Sequence, residues 1–396
     1  MQIHKIKTLI DGNGGAPIKD ALLAIENGRI AYVGAADGFS IPQGAEVIEH
    51  GDGHMLPGLI DAHTHFLMDP VADFFGFVGR DSQTAVAWRG MKNLKLFLQS
   101  GVTYIRDLGG YKFIDIELRK LVNAGEIPGP GLQVAGDFVT MTGGHGWKIG
   151  READGEAEVR KAVREQLKAG ANLIKIMATG GNLTPGSIPG AAQLSEPELR
   201  VAAEEAKKYG IKTATHAHSK EGIKNAVLAG IGSIEHGTYA DEEVLQMMIE
   251  RGTYLCPTLY APWVCGALGG EKGLSPETVE KCRLASEQHR KAYQLALKMG
   301  VNIAAGTDSG TPFTEHGTSL VQELNLMVEY GTPNMQAIVC ATKNGADLLG
   351  ISENYGTLEA GKAADFIVVG NDPLVDINAL SDLKAVYKAG EEIVLD

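Results

Sequence analysis

A chain of 396 residues, 44% hydrophobic and 21% charged, has an ordinary globular composition and room for one large barrel of about 250 residues plus a smaller module. Its net charge of −13, with no Lys/Arg cluster, excludes the basic face of a duplex-binding protein, so no nucleic-acid partner is expected. Cys256, Cys265, Cys282 and Cys340 form no CxxC pair, which speaks against a thiolate zinc knuckle and for a reduced, cytoplasmic setting. The opening MQIHKIKTLIDGNG shows no basic-then-apolar leader and no run of 18 apolar residues occurs, so no membrane association is expected.

The first 56 residues read as short strands. HKIKTLID, ALLAIENGRIAYVG and AEVIEHG are rich in β-branched residues and separated by Gly and Asn turns. Asn27-Gly28, between two apolar runs, predicts a hairpin. The middle differs in kind. Eight apolar segments, at 58–66, 102–109, 132–139, 173–181, 212–219, 233–237, 254–260 and 302–310, alternate with amphipathic helical patterns. Helices are predicted at 154–169 and 196–209, the second opened by a capping box of Ser195 and Glu198 with Pro197 in its first turn. Alternation implies parallel strands, and eight repeats suggest an α/β fold closed into a (β/α)8 TIM barrel. The last segment returns to strands, AADFIVVG and LKAVYKAGEEIVL. Residues 1–56 and 353–396 are therefore expected to pair in one side domain, with the barrel at 57–352. The 179–193 stretch, rich in Gly, Pro and Ser, reads as a rim loop that is either a lid or a plain connection. The 261–275 stretch reads as a second loop, where Trp263 packs on substrate or on its own domain. Arg106 and Asp107 read as a structural pair near the rim, with a substrate carboxylate as the alternative partner of Arg106.

Histidine placement carries the chemistry. His63 and His65 end the first strand in DAHTHF. Residues i and i+2 on a strand share a face, so the two imidazoles form a pincer at the rim where such barrels assemble active sites. His216 and His218 repeat it in ATHAHS, His236 ends IEHG, and Asp308 ends AGTDSG. A single histidine at a strand end is more often a satisfied polar residue, but two HxH pairs with a further His and an Asp point to metal. Imidazole and carboxylate donors suit Zn, Mn, Co or Fe. Lys175 stands in the apolar strand NLIKIMATGG. It either snorkels outside the barrel or reacts with carbon dioxide to give a carbamate, an anionic oxygen ligand able to bridge two metals.

The pieces PGLIDAHTHF, IKIMATGG, THAHS, IEHG, GTDSG and GTLEAGKAADFIVV, in order along the whole chain, resemble the binuclear-metal branch of the amidohydrolase superfamily. Within it the chain resembles the imidazolonepropionase-like group, and most of all the metal-dependent Xaa-Pro dipeptidases and Arg/Lys carboxypeptidases. The resemblance implies a TIM barrel with a β-sandwich built from both termini. It also implies two divalent ions, zinc first. His63, His65 and Asp308 would hold one, His216 and His236 the other, and carboxylated Lys175 would bridge them. His145 would hydrogen-bond the scissile carbonyl oxygen, and His218 would contact substrate. Asp308 would move the proton from a metal-bridging hydroxide to the leaving amine.

The expected reaction is cleavage of an amide in a small-molecule substrate, a dipeptide (Xaa-Pro or similar) or an N-acyl amino acid. Two alternatives stay open. One is a hydrolase or deaminase of a cyclic or xenobiotic amide, urea or carbamate; the other is a non-catalytic barrel scaffold. A homo-oligomer is also expected.

Overall fold

The computed structural model describes residues 1–184 and 186–395. Pro185, inside the 179–193 loop, and Asp396, at the end of the C-terminal segment, lie outside them. Five strands come first: β1 (Gln2–Leu9), β2 (Ile18–Glu26), β3 (Arg29–Ala35), β4 (Glu46–Glu49) and β5 (His54–Pro57). The middle of the chain carries β6 (Leu59–Thr64), β7 (Val102–Asp107), β8 (Gly131–Val134), β9 (Val139–Thr140), β10 (Arg151–Glu152), β11 (Leu173–Met177), β12 (Lys212–Ala217), β13 (Ser233–His236) and β14 (Tyr254–Cys256). Among them lie helices α1 (Gln83–Gln99), α2 (Ile114–Asn123), α3 (Gly155–Ala169), α4 (Glu196–Lys208), α5 (Lys220–Ala229) and α6 (Glu242–Arg251). After β14 come α7 (Tyr260–Leu268), α8 (Pro276–Met299), α9 (Ser319–Glu329), α10 (Asn334–Cys340) and α11 (Lys343–Leu349), then β15 (Phe366–Val369), β16 (Leu383–Lys388) and β17 (Glu391–Glu392). Among the described residues, no helix is long and apolar enough to cross a membrane.

The strands of both chain ends form one mixed sheet, in the order β17-β16-β15-β5-β1-β2-β3, with β4 on β1. Asn27 (φ 52°) and Gly28 (φ 74°) turn the β2–β3 hairpin, both left-handed as a type I′ turn requires. One face of the sheet buries Leu9, Leu23, Met55, Phe366 and Val368. Two parallel sheets make up the middle, β6-β7-β8 and β10-β9-β11-β12-β13-β14. The 302–310 segment bridges them: Ile303 pairs with Leu255 and Ser309 with Thr64. Helices cover these sheets through apolar stripes. In α4 the buried Leu199, Ala202 and Ala206 recur at i, i+3 and i+7, and the Ser195–Glu198 capping box closes its start.

Three sequence expectations are corrected. The 132–139 segment is not one strand: it breaks between β8 and β9, where Gly136 turns left-handed (φ 69°) and donates its N–H to Asp115. The 302–310 segment forms isolated bridges instead of a continuous strand. Most of the expected 261–275 loop is the helix α7: Pro262 fits a first turn, and Ala261, Val264 and Cys265 share one buried face.

Candidate metal centre

Strand register brings the singled-out residues together. In the parallel ladder Met177 is level with His216, and His216 with Glu235. Residues level with one another point to one face, and Lys175 and Met177, two apart on β11, both line a cavity at the C-terminal ends of these strands. His63, His65, His145, His216, His218, His236 and Asp308 line it too. Alternation would turn His236 away from the face of its neighbour Glu235. A left-handed backbone at His236 (φ 71°) departs from that alternation, and Asp308 (φ 60°) has the same conformation.

Three donor groups result among the described residues, two rich in imidazole and a third of His63, Glu235 and Cys256. His63 Nε2 and His65 Nε2 lie 3.3 and 3.2 Å from Asp308 Oδ1, and His216, His218 and His236 converge in a second group. Four of the imidazoles have one ring nitrogen tied to a fixed acceptor. His63 Nδ1–H donates to Glu235 at 2.9 Å and His65 Nδ1–H to the Gly109 carbonyl at 3.4 Å. His216 Nε2–H donates to the Gly180 carbonyl at 3.1 Å. Thr258 gives its hydroxyl hydrogen to the Pro257 carbonyl, so its oxygen receives His236 Nδ1–H at 2.7 Å. The other nitrogen of each ring keeps a lone pair, the arrangement of metal-ligating histidines. Burial pushes His216 and His236 well below the ordinary imidazole pKa, which keeps those lone pairs free. Burial alone would raise the Asp308 carboxyl; the His63 and His65 rings lower it when their Nε2 atoms donate to it, a contact that a metal ion seated on those nitrogens would replace. This donor set fits divalent ions.

Lys175 is 2% exposed, and no side chain among the described residues pairs with its ammonium. Burial lowers it to about 8, against the opposing pull of Glu235 and Asp308. His145 Nδ1 bonds Thr184 Oγ1 at 2.8 Å, and burial pushes the ring down to about 4. Thr184 also accepts Gly146 N–H at 3.1 Å, while Asn182 and Leu183 line the cavity, so the 179–193 loop forms part of the wall. His218 Nδ1 bonds Thr238 Oγ1 at 2.8 Å, and its ring stacks on His236. Trp263 stacks on Tyr260, 40% exposed and away from the cavity lining.

The Arg106–Asp107 pair does not form, because alternation sends neighbours on β7 to opposite sides. Arg106 is buried and donates to Glu235 Oε1 (2.8 Å), Ser233 Oγ (3.0 Å) and the Ala62 carbonyl (2.6 Å). Asp107 accepts Phe66 N–H at 2.9 Å. Sequence reading missed Glu235. Its signal was the one that singled out Lys175, a charge inside the apolar strand SIEH. Burial opposes its charge, but Arg106 and His63 hold the carboxyl well below the ordinary range. His289 was also missed. It lies on the buried stripe of α8 and lines the cavity, and nothing in the helix pattern marks it.

The amidohydrolase family matches residues 54–393. The ochratoxinase of Aspergillus niger is 36% identical across 97% of this chain and 84% of that protein. An imidazolonepropionase of Sphingopyxis alaskensis is 27% identical across 89% of this chain and 86% of that protein. Among solved structures, a Xaa-Pro dipeptidase with bound methionine in its active site superposes with a TM-score of 0.91 at 32% identity, covering 99% of each chain.

Proposed function

Because this chain belongs to the amidohydrolase family and is a hydrolase acting on C–N bonds, we propose that it cleaves an amide bond in the cavity described above, at two divalent metal ions. The observation that carries the reading is the convergence of two imidazole-rich donor groups, each ring anchored through its second nitrogen, on one cavity with a buried lysine. His63, His65 and Asp308 would hold one ion, His216 and His236 the other, zinc being the first candidate for both. The neutral Lys175 amine would add to carbon dioxide, forming an N–C bond, releasing a proton and leaving an anionic carbamate as a ligand shared by both. The ions supply polarisation of the substrate carbonyl and lower the pKa of water towards about 7. His145 donates a hydrogen bond to the carbonyl oxygen where charge develops. Asp308 accepts the proton of the attacking water and returns it to the leaving nitrogen. His218 holds the substrate.

The two parallel sheets are read as arcs of one closed (β/α)8 barrel over 57–352. Support comes from the bridges of 302–310 and from Asn172 N–H donating to the Val134 carbonyl between β8 and β11. Residues 1–56 and 353–396 are read as the β-sandwich domain.

For substrate, likeness to a Xaa-Pro dipeptidase and to ochratoxinase supports a dipeptide or N-acyl amino acid. One observation favours a second reading, a cyclic or xenobiotic amide, urea or carbamate. Lys175 is the sole Lys or Arg among the described lining residues, so no arginine waits for a substrate carboxylate. The full donor set speaks against a non-catalytic scaffold. The test is bound metal per chain in wild type and Lys175→Ala, with hydrolysis of dipeptides, N-acyl amino acids and uncharged amides alongside. About two ions, lost with activity in the variant, agree with the proposal. One ion, unchanged by the substitution, overturns the bridging role.

A further inference from the structure

His289 takes no part in the chemistry above, yet it lines the same cavity and is 2% exposed. Its Nε2 lies 2.7 Å from the His236 carbonyl oxygen. A carbonyl only accepts, so Nε2 carries the hydrogen, and the neutral ring offers Nδ1 as a bare acceptor. Nδ1 is buried and has no partner among the described residues. Nor does His289 belong to any donor group described above. A buried acceptor left unmatched is unfavourable, and in a substrate cavity a ligand can match it. Phe74, Phe75, Phe138 and Leu183 give part of the cavity lining a hydrocarbon surface, and none of the polar lining residues bonds Nδ1.

We propose that His289 is a specificity-determining residue whose Nδ1 accepts a hydrogen bond from an N–H group of the substrate, so that amides carrying this donor are preferred over isosteres lacking it. The inference rests on the amide-hydrolase reading. Two parts of a substrate can supply the donor, a free amino group on the acyl portion or the scissile amide itself.

The experiment uses the metal-loaded enzyme and two matched pairs: an aminoacyl amide against its des-amino analogue, and a secondary amide against its N-methyl analogue. Wild type is expected to favour the donor-bearing member of one pair by about tenfold in kcat/KM, and the responding pair identifies the donor. His289→Gln keeps an N–H where Nε2 sits, preserving the bond to the His236 carbonyl, but has no acceptor at Nδ1. Its preference is expected to fall to about one with bound metal retained. His289→Asn keeps a polar group at the Nδ1 position and is expected to retain the preference while binding metal less well. Equal rates for both members of both pairs in wild type, or an undiminished preference in His289→Gln, would overturn the inference. No hydrolysis of any amide would instead overturn the reading beneath it.

Discussion

Glu235→Gln tests whether the buried ion network beneath the cavity sets the His63 ring. Arg106 and Glu235 are 1% and 0% exposed, and their 2.8 Å contact is joined by Ser233, which donates to the same carboxylate oxygen at 2.5 Å. Glutamine keeps the size and one oxygen but removes the charge, leaving the guanidinium without a carboxylate partner. Breaking a buried ion pair from one side costs about 3–5 kcal/mol. Because the amide oxygen still accepts from Arg106 and Ser233, a loss near the lower end, about 3 kcal/mol, is expected. His63 also loses the charge-assisted bond at Nδ1, and loss of such an orienting partner typically weakens metal binding by about 10–100-fold. Urea unfolding of the metal-free protein isolates the first effect, and competition with a metal-sensitive dye measures the second. The double variant Arg106→Met/Glu235→Leu should recover most of the stability, since an apolar pair of similar volume replaces the ions, but not the metal affinity. A Glu235→Gln protein within about 0.5 kcal/mol of wild type and with unchanged metal affinity would refute the reasoning.

The role proposed for His145 requires the Thr184 hydroxyl, which accepts Gly146 N–H, to donate its own hydrogen to Nδ1 and so leave the ring hydrogen on Nε2. Thr184→Val should lower kcat by about tenfold or more with little change in KM, and Thr184→Ser should restore it; equal rates for all three would show that this hydroxyl does not set the ring. Metal removal by a chelator should lower the unfolding midpoint, because ions that bind only the folded chain stabilise it by about 4 kcal/mol at a thousand times Kd. An unshifted midpoint would count against a bound metal. Away from the cavity, Arg164, Lys208 and Arg160 surround Glu205 and depress its carboxyl to about 2. A depressed carboxyl stabilises above its unfolded pKa and loses that contribution as pH falls towards the folded one. The window is therefore from about 4.5 down to about 2, and the contribution, screened by half-exposed partners, is about 1 kcal/mol. Urea unfolding from pH 6 to 3.5 should show Glu205→Gln losing less stability than wild type on acidification. Parallel slopes would count against it.

Legibility in the sequence followed periodicity. The HxH pairs, Lys175 and the Ser195 capping box were readable because strand alternation and helix capping are local rules; the structure puts the HxH pairs and Lys175 on one cavity and the capping box at the start of α4. Where the local rule bends, the reading failed. Arg106 was paired with its chain neighbour because sequence proximity stood in for space; its partner Glu235 is 129 residues away. The 261–275 stretch reads as a loop in the sequence, while the burial of Val264 and Cys265 against α8, invisible locally, makes its first part helical. His289 was unreadable for a similar reason. One polar residue on a buried helix stripe acquires meaning only when another chain segment, here the His236 carbonyl, fixes its tautomer.

His236 and Asp308, with Thr258 (φ 52°) bonded to the His236 ring, show why the proposed ligand positions could be read from the sequence but not their geometry. All three hold a left-handed backbone that costs a non-glycine residue about 1–3 kcal/mol. Such conformations persist only where the surroundings over-determine them. Here the surroundings do so with hydrogen bonds from backbone and side chains. Asp308 N–H donates to the His63 carbonyl at 2.8 Å, and the His236 carbonyl is held by His289. Thr258 ties its own hydroxyl both to Pro257 and to the His236 ring. The site therefore departs from strand alternation where side chains must converge on one cavity, and the rigid sheet ends with α8 offset the strain. A variant that relaxes one of these bonds should weaken metal binding before it unfolds the chain, which is why metal affinity and stability must be measured separately in every substitution proposed above.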